Sequence, residues 1–398
     1  MKRLAFFLTF AITLTLIAAP VASSAPKTVA VKKLNLLAVN QGTEEFVISG
    51  KTIVTIGNTD GVNSNVLLTG SDGNGVQLWQ KTIDSGADEV ALVATTDPSG
   101  NIWVAGASAS LVASDSATAP VQAENPDGVV VEPSTKLRGD MNLLTIWKIS
   151  ATGDVVTTYT SALAAPALIN AISANNSGVS IAGIVQEKPF IQSANSLGVF
   201  GKQTFIGTAK TSLNAIVRHT DGSVSVFGSS SETLGGKKLA GRRDGVLIKV
   251  SKTGTVASVV RSSAPKADRS WISADNSLAV TGFVKTGKVV ETAFTKFTSA
   301  FAPTWTMRVP SLGTSAIVSA GTTTYGAFSS NSSVTGVSGW RPTAPSVLLL
   351  AFDAKGVIAN AYGSSEILEP ISLAYSKDLG LIGLARTLQQ TLTLFKIS

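Results

Sequence analysis

The stretch NIWVAG, residues 101–106, runs four apolar or small side chains into a glycine. Close copies stand at TIVTIG (52–57), VSIAG (179–183), SVSVFG (223–228), SLAVTG (277–282), TTTYG (322–326) and LGLIG (379–383). Their glycines, Gly57, Gly106, Gly183, Gly228, Gly282, Gly326 and Gly383, lie 49, 77, 45, 54, 44 and 57 residues apart. Only the 77-residue interval is out of line, and it holds an insertion. Self-similarity at a period of about 40–50 residues marks a repeat architecture.

Each phrase reads as a short alternating strand, b, preceded by a turn cluster such as DPSG (97–100), NNSG (175–178), TDGS (220–223) or KDLG (377–380). Before the turn lies another apolar strand, a: VALVA (90–94), LINAI (168–172), LNAIV (213–217) or ISLAY (371–375). Two such runs around Gly, Asp and Asn make a hairpin. A second hairpin, c–d, follows in most repeats, most plainly at 244–262, 142–160, 65–83 and 346–364. In the third repeat, residues 188–212 admit more than one c–d register. Four antiparallel strands per repeat make a propeller blade. The expected fold is therefore an all-β, seven-bladed β-propeller of four-stranded antiparallel blades. The recurring glycine marks a place where a second backbone comes close or the strand bends. A row of immunoglobulin-like sandwiches, each of about 100 residues, accounts for strands and turns but not for this period.

The seventh repeat, 370–398, supplies a, b and c and then stops. The segment TVAVKKLNLLAV (28–39) belongs to no repeat. An N-terminal strand that completes the last blade uses both facts, closes the ring and removes an exposed edge. The expected domains are thus a leader over 1–25 and a single propeller over 27–398, with a loop insertion at 108–140.

The repeats resemble bacterial secreted β-propeller repeat proteins of the SBBP type. Asp244 with the following GVLIKVSKTG matches the Asp-hydrophobic-hydrophobic-Lys strand and glycine turn of that repeat. TTDPSGNIWVAG (95–106) matches its Asp-x-x-Gly-Asn hairpin, whereas SAGTTTYG and ISGKTIVTIG lack the Asp turn. The resemblance spans about 46–398. It implies architecture and no activity, because propellers carry unrelated functions.

Lys2 and Arg3 precede LAFFLTFAITLTLIAA, an uncharged run of 16 residues, and then PVASSAPK. That order is a secretory signal peptide, cleaved within 22–25, and implies an extracellular or periplasmic product. The run falls short of the about 20 residues that span a bilayer, so no membrane attachment is expected after cleavage. With no cysteine, stability rests on burial without disulfides. The net charge of +7 is mild for 398 residues, only 14% of which are charged. No basic run is interleaved with aromatics, so nucleic acid is not an expected partner.

Catalytic signatures are thin. The chain has one histidine, His219, which reads as a solvated turn residue and with no cysteine cannot form a metal cluster. There is no G-x-S-x-G elbow and no phosphate loop. Paired carboxylates would suit a polysaccharide hydrolase or lyase, but only Glu89 and Glu369 stand at the edges of the a strands. SDGNG and DPSGN place Asp and Asn where hairpin turns demand them, short of a calcium site. No catalytic residue, cofactor or metal is assigned. The better clues are long b–c loops at 108–140, 229–244 and 328–345, since loops of this length in compact folds tend to be functional. All three are expected on one face. They carry Lys237, Lys238, Arg242, Arg243, Trp340 and Arg341, the candidate ligand-binding residues, with Trp340 either contacting ligand or anchoring its own loop. The other tryptophans are expected to pack between blades. The resulting expectation is a secreted, non-enzymatic binding scaffold for a glycan, a peptide or an envelope polymer or protein.

Overall fold

NIWVAG lies in the strand Ile102–Ser108, which is paired antiparallel to Glu89–Thr96 on one side and to Leu143–Ile149 on the other. A computed structural model describes residues 28–40, 42–59, 63–110 and 139–397. Its strands form six sheets of four and one of six, in the order a–b–c–d within each four-stranded unit. The inner strands are Thr43–Ser49, Glu89–Thr96, Ala167–Asn175, Thr211–Arg218, Ala267–Ala274, Ser315–Ala320 and Ile367–Ser376. Each touches the next, and the last touches the first. The chain is an all-β propeller of four-stranded antiparallel blades. The third c–d hairpin settles as Lys188–Asn195 with a two-residue outer strand, Thr204–Phe205. The leader and residues 111–138 of the insertion lie outside the described residues.

Burial explains the wording of the phrase. Ile102 and Val104 pack toward the first sheet with Val54, Ile56 and Leu68. Trp103 and Ala105 pack toward the third with Ile169, Val179 and Ile181. Both faces of the strand are covered, so it reads as a continuous apolar run rather than apolar–polar alternation. Equivalent clusters fill every other gap between neighbouring sheets. Each fully buried large side chain contributes about 1.5–3 kcal/mol.

The glycines answer to the inner strand. Opposite five of them the inner strand carries a β-bulge, skipping Glu44, Leu92, Asn170, Asn214 and Ile272 in turn. The bulge drives one carbonyl oxygen onto the b strand: Gly42 onto Gly57, Val90 onto Gly106, Leu168 onto Gly183, Ser212 onto Gly228 and Ser270 onto Gly282. A Cβ at any of these glycines would overlap that oxygen. At Gly326 and Gly383 the space is taken instead by the rings of Phe294 and Phe395. Bulges also free backbone groups that an asparagine of the preceding sheet answers. Asn170 donates to the Leu213 carbonyl at 3.2 Å and Asn214 to that of Trp271 at 2.7 Å. Asn58 both donates to the Ala91 carbonyl, at 3.1 Å, and accepts from its N–H, at 2.8 Å.

Aromatic side chains clasp the outer rim. Trp79 packs over Gly153, Tyr159 over Gly198 and Trp305 over Gly356, each glycine in the c–d turn of the following sheet. The turns themselves are closed by side-chain oxygens. Asp72, Asn195 and Asp353 each accept N–H bonds from the residues two and four further on, the Asx geometry that selects these residue types.

The segment 28–39 departs from the expected single closing strand. Val29–Lys33 lies parallel to the outer strand Ile358–Ser364 of the six-stranded sheet and also borders Val337–Ser338. Only Asn35–Leu37 reaches the last sheet, antiparallel to Leu392–Lys396. Between them Leu34, fully buried, plugs the gap between the two sheets. The split follows from the side chains: Val29 and Val31 belong to the core between the fifth sheet and the six-stranded one, and Leu36, with Leu34, to the core between the six-stranded sheet and the last.

Candidate functional site

Antiparallel order places the b–c loops and the d–a links on one face, and the a–b and c–d turns on the other. The loops 229–244 and 328–345 and both ends of the 108–140 insertion leave from the b–c face. There they are tied to neighbouring links: Ser231 N–H donates to the Lys210 carbonyl, Leu312 N–H to Ser329 and Ala109 N–H to Asp88, at 2.9–3.0 Å.

The basic loop of the fourth sheet is held at both ends. At its start, the Glu232 carboxylate accepts from the Thr208 N–H at 2.7 Å, the Thr211 hydroxyl at 2.7 Å and the Thr208 hydroxyl at 3.0 Å. Burial pushes Glu232 up, but these bonds and nearby Lys210 outweigh it and leave its pKa below the usual carboxylate value. In the middle, Leu234 and Lys237 exchange backbone bonds across Gly235 and Gly236, both at positive φ. At its end, the buried Asp244 carboxylate accepts from the N–H groups of Ala240 and Gly241, at 3.0 and 2.9 Å. The same carboxylate pairs at 3.0 Å with Arg261, whose side chain is also buried. Arg261 in turn donates to the carbonyls of Lys237 and Glu232. A buried, fully bonded pair is a device of geometry more than of net stability. Asp244, which in the sequence belongs to a repeat strand, is here the clamp of the loop.

The clamped loop presents Lys237, Lys238, Arg242 and Arg243, all exposed. Arg243 is fixed along its backbone by a parallel bridge to Asp268. Adjoining links and turns on the same face add exposed Lys210, Lys266, Lys285 and Lys288. Arg341, on the loop of the six-stranded sheet, is exposed as well. Its neighbour Trp340 is not: 7% of its surface is accessible, and it sits in the core between the fifth and sixth sheets, against Gly363. Of the two readings open for Trp340, this burial supports the anchor of its own loop and not the ligand contact. The remaining tryptophans pack between sheets, as Trp103, Trp147 and Trp271 show.

Two further sequence readings change. His219 is half-buried rather than solvated: its Nε2 lies 2.8 Å from the Ser225 hydroxyl, and burial pushes its pKa below the ordinary histidine value. The inner strands also carry Glu44, Glu45 and Asp268, beyond the two acids read from the sequence. Glu45 stands on Thr43–Ser49 and lines the central channel together with Asp275 of an a–b turn. The period-2 pattern of EEFVIS, with Glu45 in step with Val47, was the available signal. Asp97, in the DPSGN turn, commits Oδ1 to two backbone N–H groups, and Oδ2 to the Asn101 amide and the Trp103 indole.

No protein-family profile matches this chain, and no curated protein matches it. Its fold is similar to solved β-propellers. The WD40 domain from Toxoplasma gondii coronin is 12% identical, with 94% of this chain and 88% of that one covered, at a TM-score of 0.50. The β-propeller domain of Myceliophteria thermophila Cps50 (Swd1) is 9% identical, with 92% and 100% covered, also at 0.50. At such identities the likeness carries the fold alone.

Proposed function

We propose that this protein is a secreted, non-enzymatic binding scaffold that holds an anionic polymer or acidic glycan of the cell envelope against its b–c face. In this reading the six-stranded sheet counts as one blade, which gives a ring of seven. The observation that carries the reading is the clamped basic loop. Four exposed cations ride on a backbone pinned by Glu232 at one end and by Asp244 with Arg261 at the other, so little ordering is left for the ligand to impose. Lys210, Lys266, Lys285 and Lys288 extend the same sign of charge across adjoining links. Each exposed contact is worth only about 0.2–1 kcal/mol and is screened by salt, so binding must be multivalent along a chain.

The test is to change Lys237, Lys238, Arg242 and Arg243 to Ser together. Affinity for an acidic polysaccharide, such as polygalacturonate, is then measured at two salt concentrations. The parent should bind more weakly in high salt, and the variant should lose most of the binding and its salt dependence. Unchanged binding by a folded variant rejects the face. A second reading, a polysaccharide hydrolase or lyase, is favoured by one observation, the presence of Glu45 and Asp275 on one channel cavity. Polysaccharide turnover abolished by Glu45→Gln would support it over the scaffold.

A further inference from the structure

The central channel widens, on the face of the a–b turns, into a cavity of about 350 Å³ walled by five sheets. Ligand pockets span roughly 300–1,000 Å³, so this one, at the low end, is sized for a single small ring. Its polar groups are mostly uncommitted. Glu45 accepts from the Ser372 hydroxyl at 2.7 Å and from the Phe46 N–H at 2.9 Å, both at Oε1. Among the described residues its Oε2 has no partner, and neither do the side chains of Thr95, Asn276 and Tyr375. Val318 and Leu373 supply an apolar part of the wall.

Asp275, the other carboxylate of the wall, is tied to its own turn through one oxygen. Asp275 Oδ1 accepts from the N–H groups of Ser277 and Ala279 at 3.0 and 3.1 Å, and from the Ser277 hydroxyl. Lys296 donates to that same hydroxyl oxygen, which also lies 2.8 Å from the Ser319 hydroxyl and can accept from it. Burial pushes Glu45 above the usual carboxylate range, against the weaker pull of its bonds from Ser372 and Phe46. Burial favours the protonated form, which carries a donor at the carboxyl. What faces the cavity is two carboxylates, those of Glu45 and Asp275, with neutral donors and acceptors, a tyrosine ring and aliphatic carbons, and no cation lines it among the described residues. That mixture matches a ring with hydroxyls at its edge and C–H groups on its face.

We infer that the channel mouth is a binding site for one neutral monosaccharide-like polyol, hydrogen-bonded by Glu45, Thr95 and Asn276 and packed against Tyr375. The site is independent of the basic face on the other side of the ring.

Saturation-transfer NMR on the full chain, with D-glucose, D-galactose, N-acetyl-D-glucosamine and myo-inositol as probes and D-glucuronate as the charged control, tests it. At least one neutral probe should receive transfer, in preference to glucuronate. Tyr375→Ala and Glu45→Ala should each weaken binding by about tenfold, the scale of a lost hydrogen bond or packed ring. Glu45→Gln keeps a donor and should retain binding, as should the fourfold Ser variant of the basic loop. Should Glu45→Ala fail to fold, the exposed Tyr375 still decides the question. Absence of transfer to all four neutral probes, a preference for glucuronate, or binding unaffected by Tyr375→Ala overturns the inference.

Discussion

Gly106 and Gly326 occupy the same position in their repeats, yet different neighbours exclude a side chain from each. At Gly106 the obstacle is the Val90 carbonyl, fixed by a bulge and two strands. At Gly326 it is the Phe294 ring, a side chain rather than backbone. Gly106→Ala should therefore destabilise by about 1–3 kcal/mol, the usual cost of forcing backbone shifts in a packed core, and Gly326→Ala by less. Urea midpoints decide, and an equal or reversed order contradicts the bulge account. Glu45 makes a second prediction at this scale. Its folded pKa is raised above the ordinary glutamate value by burial, so the native state holds the proton more tightly than the unfolded chain does. That contribution is complete below the unfolded pKa and is lost as pH rises through the folded one. Glu45→Gln removes the loss. The variant's melting temperature relative to the parent should rise between pH 4 and pH 8, and a flat difference would count against a raised Glu45 pKa.

At the scale of elements, the N-terminal segment does two jobs that a single strand would not. Val29–Lys33 covers the edge of the six-stranded sheet, and Asn35–Leu37 supplies the fourth strand of the last. Leu34 joins them as a fully buried plug. Leu34→Ala should cost about 2–5 kcal/mol, the range for emptying a buried leucine site. Deleting 28–37 should lower the melting temperature far more than deleting 111–138. Equal losses from the two deletions would mean that this segment does not close the ring.

Across the whole molecule, the two faces divide the chemistry. Tight turns and the channel mouth share one side, while the long loops and the exposed cations of the fourth and fifth sheets share the other. The division follows from antiparallel order alone, which sends every b–c loop the same way, so length inserted there in alternate repeats gathers on one face. A binding surface can therefore grow on the b–c face without disturbing the packing between sheets, which lies in the strands.

The sequence by itself determined the repeat, the four-stranded unit, the hairpin turns and the placement of the long loops. These are local signals: glycine spacing, Asx residues in turns and apolar runs of strand length. It also singled out the basic residues, because Lys and Arg in a long polar loop are visible without coordinates. Only the tertiary structure decided what the glycines face, since a bulge carbonyl on the neighbouring strand leaves no mark beside the glycine it crowds. The same holds for Trp340, whose burial depends on Gly363 and the strands around it. It holds for Asp244, whose partner Arg261 lies 17 residues on. And it holds for Glu45, whose partner Ser372 is 327 residues away and comes within reach only because the ring closes the last inner strand onto the first.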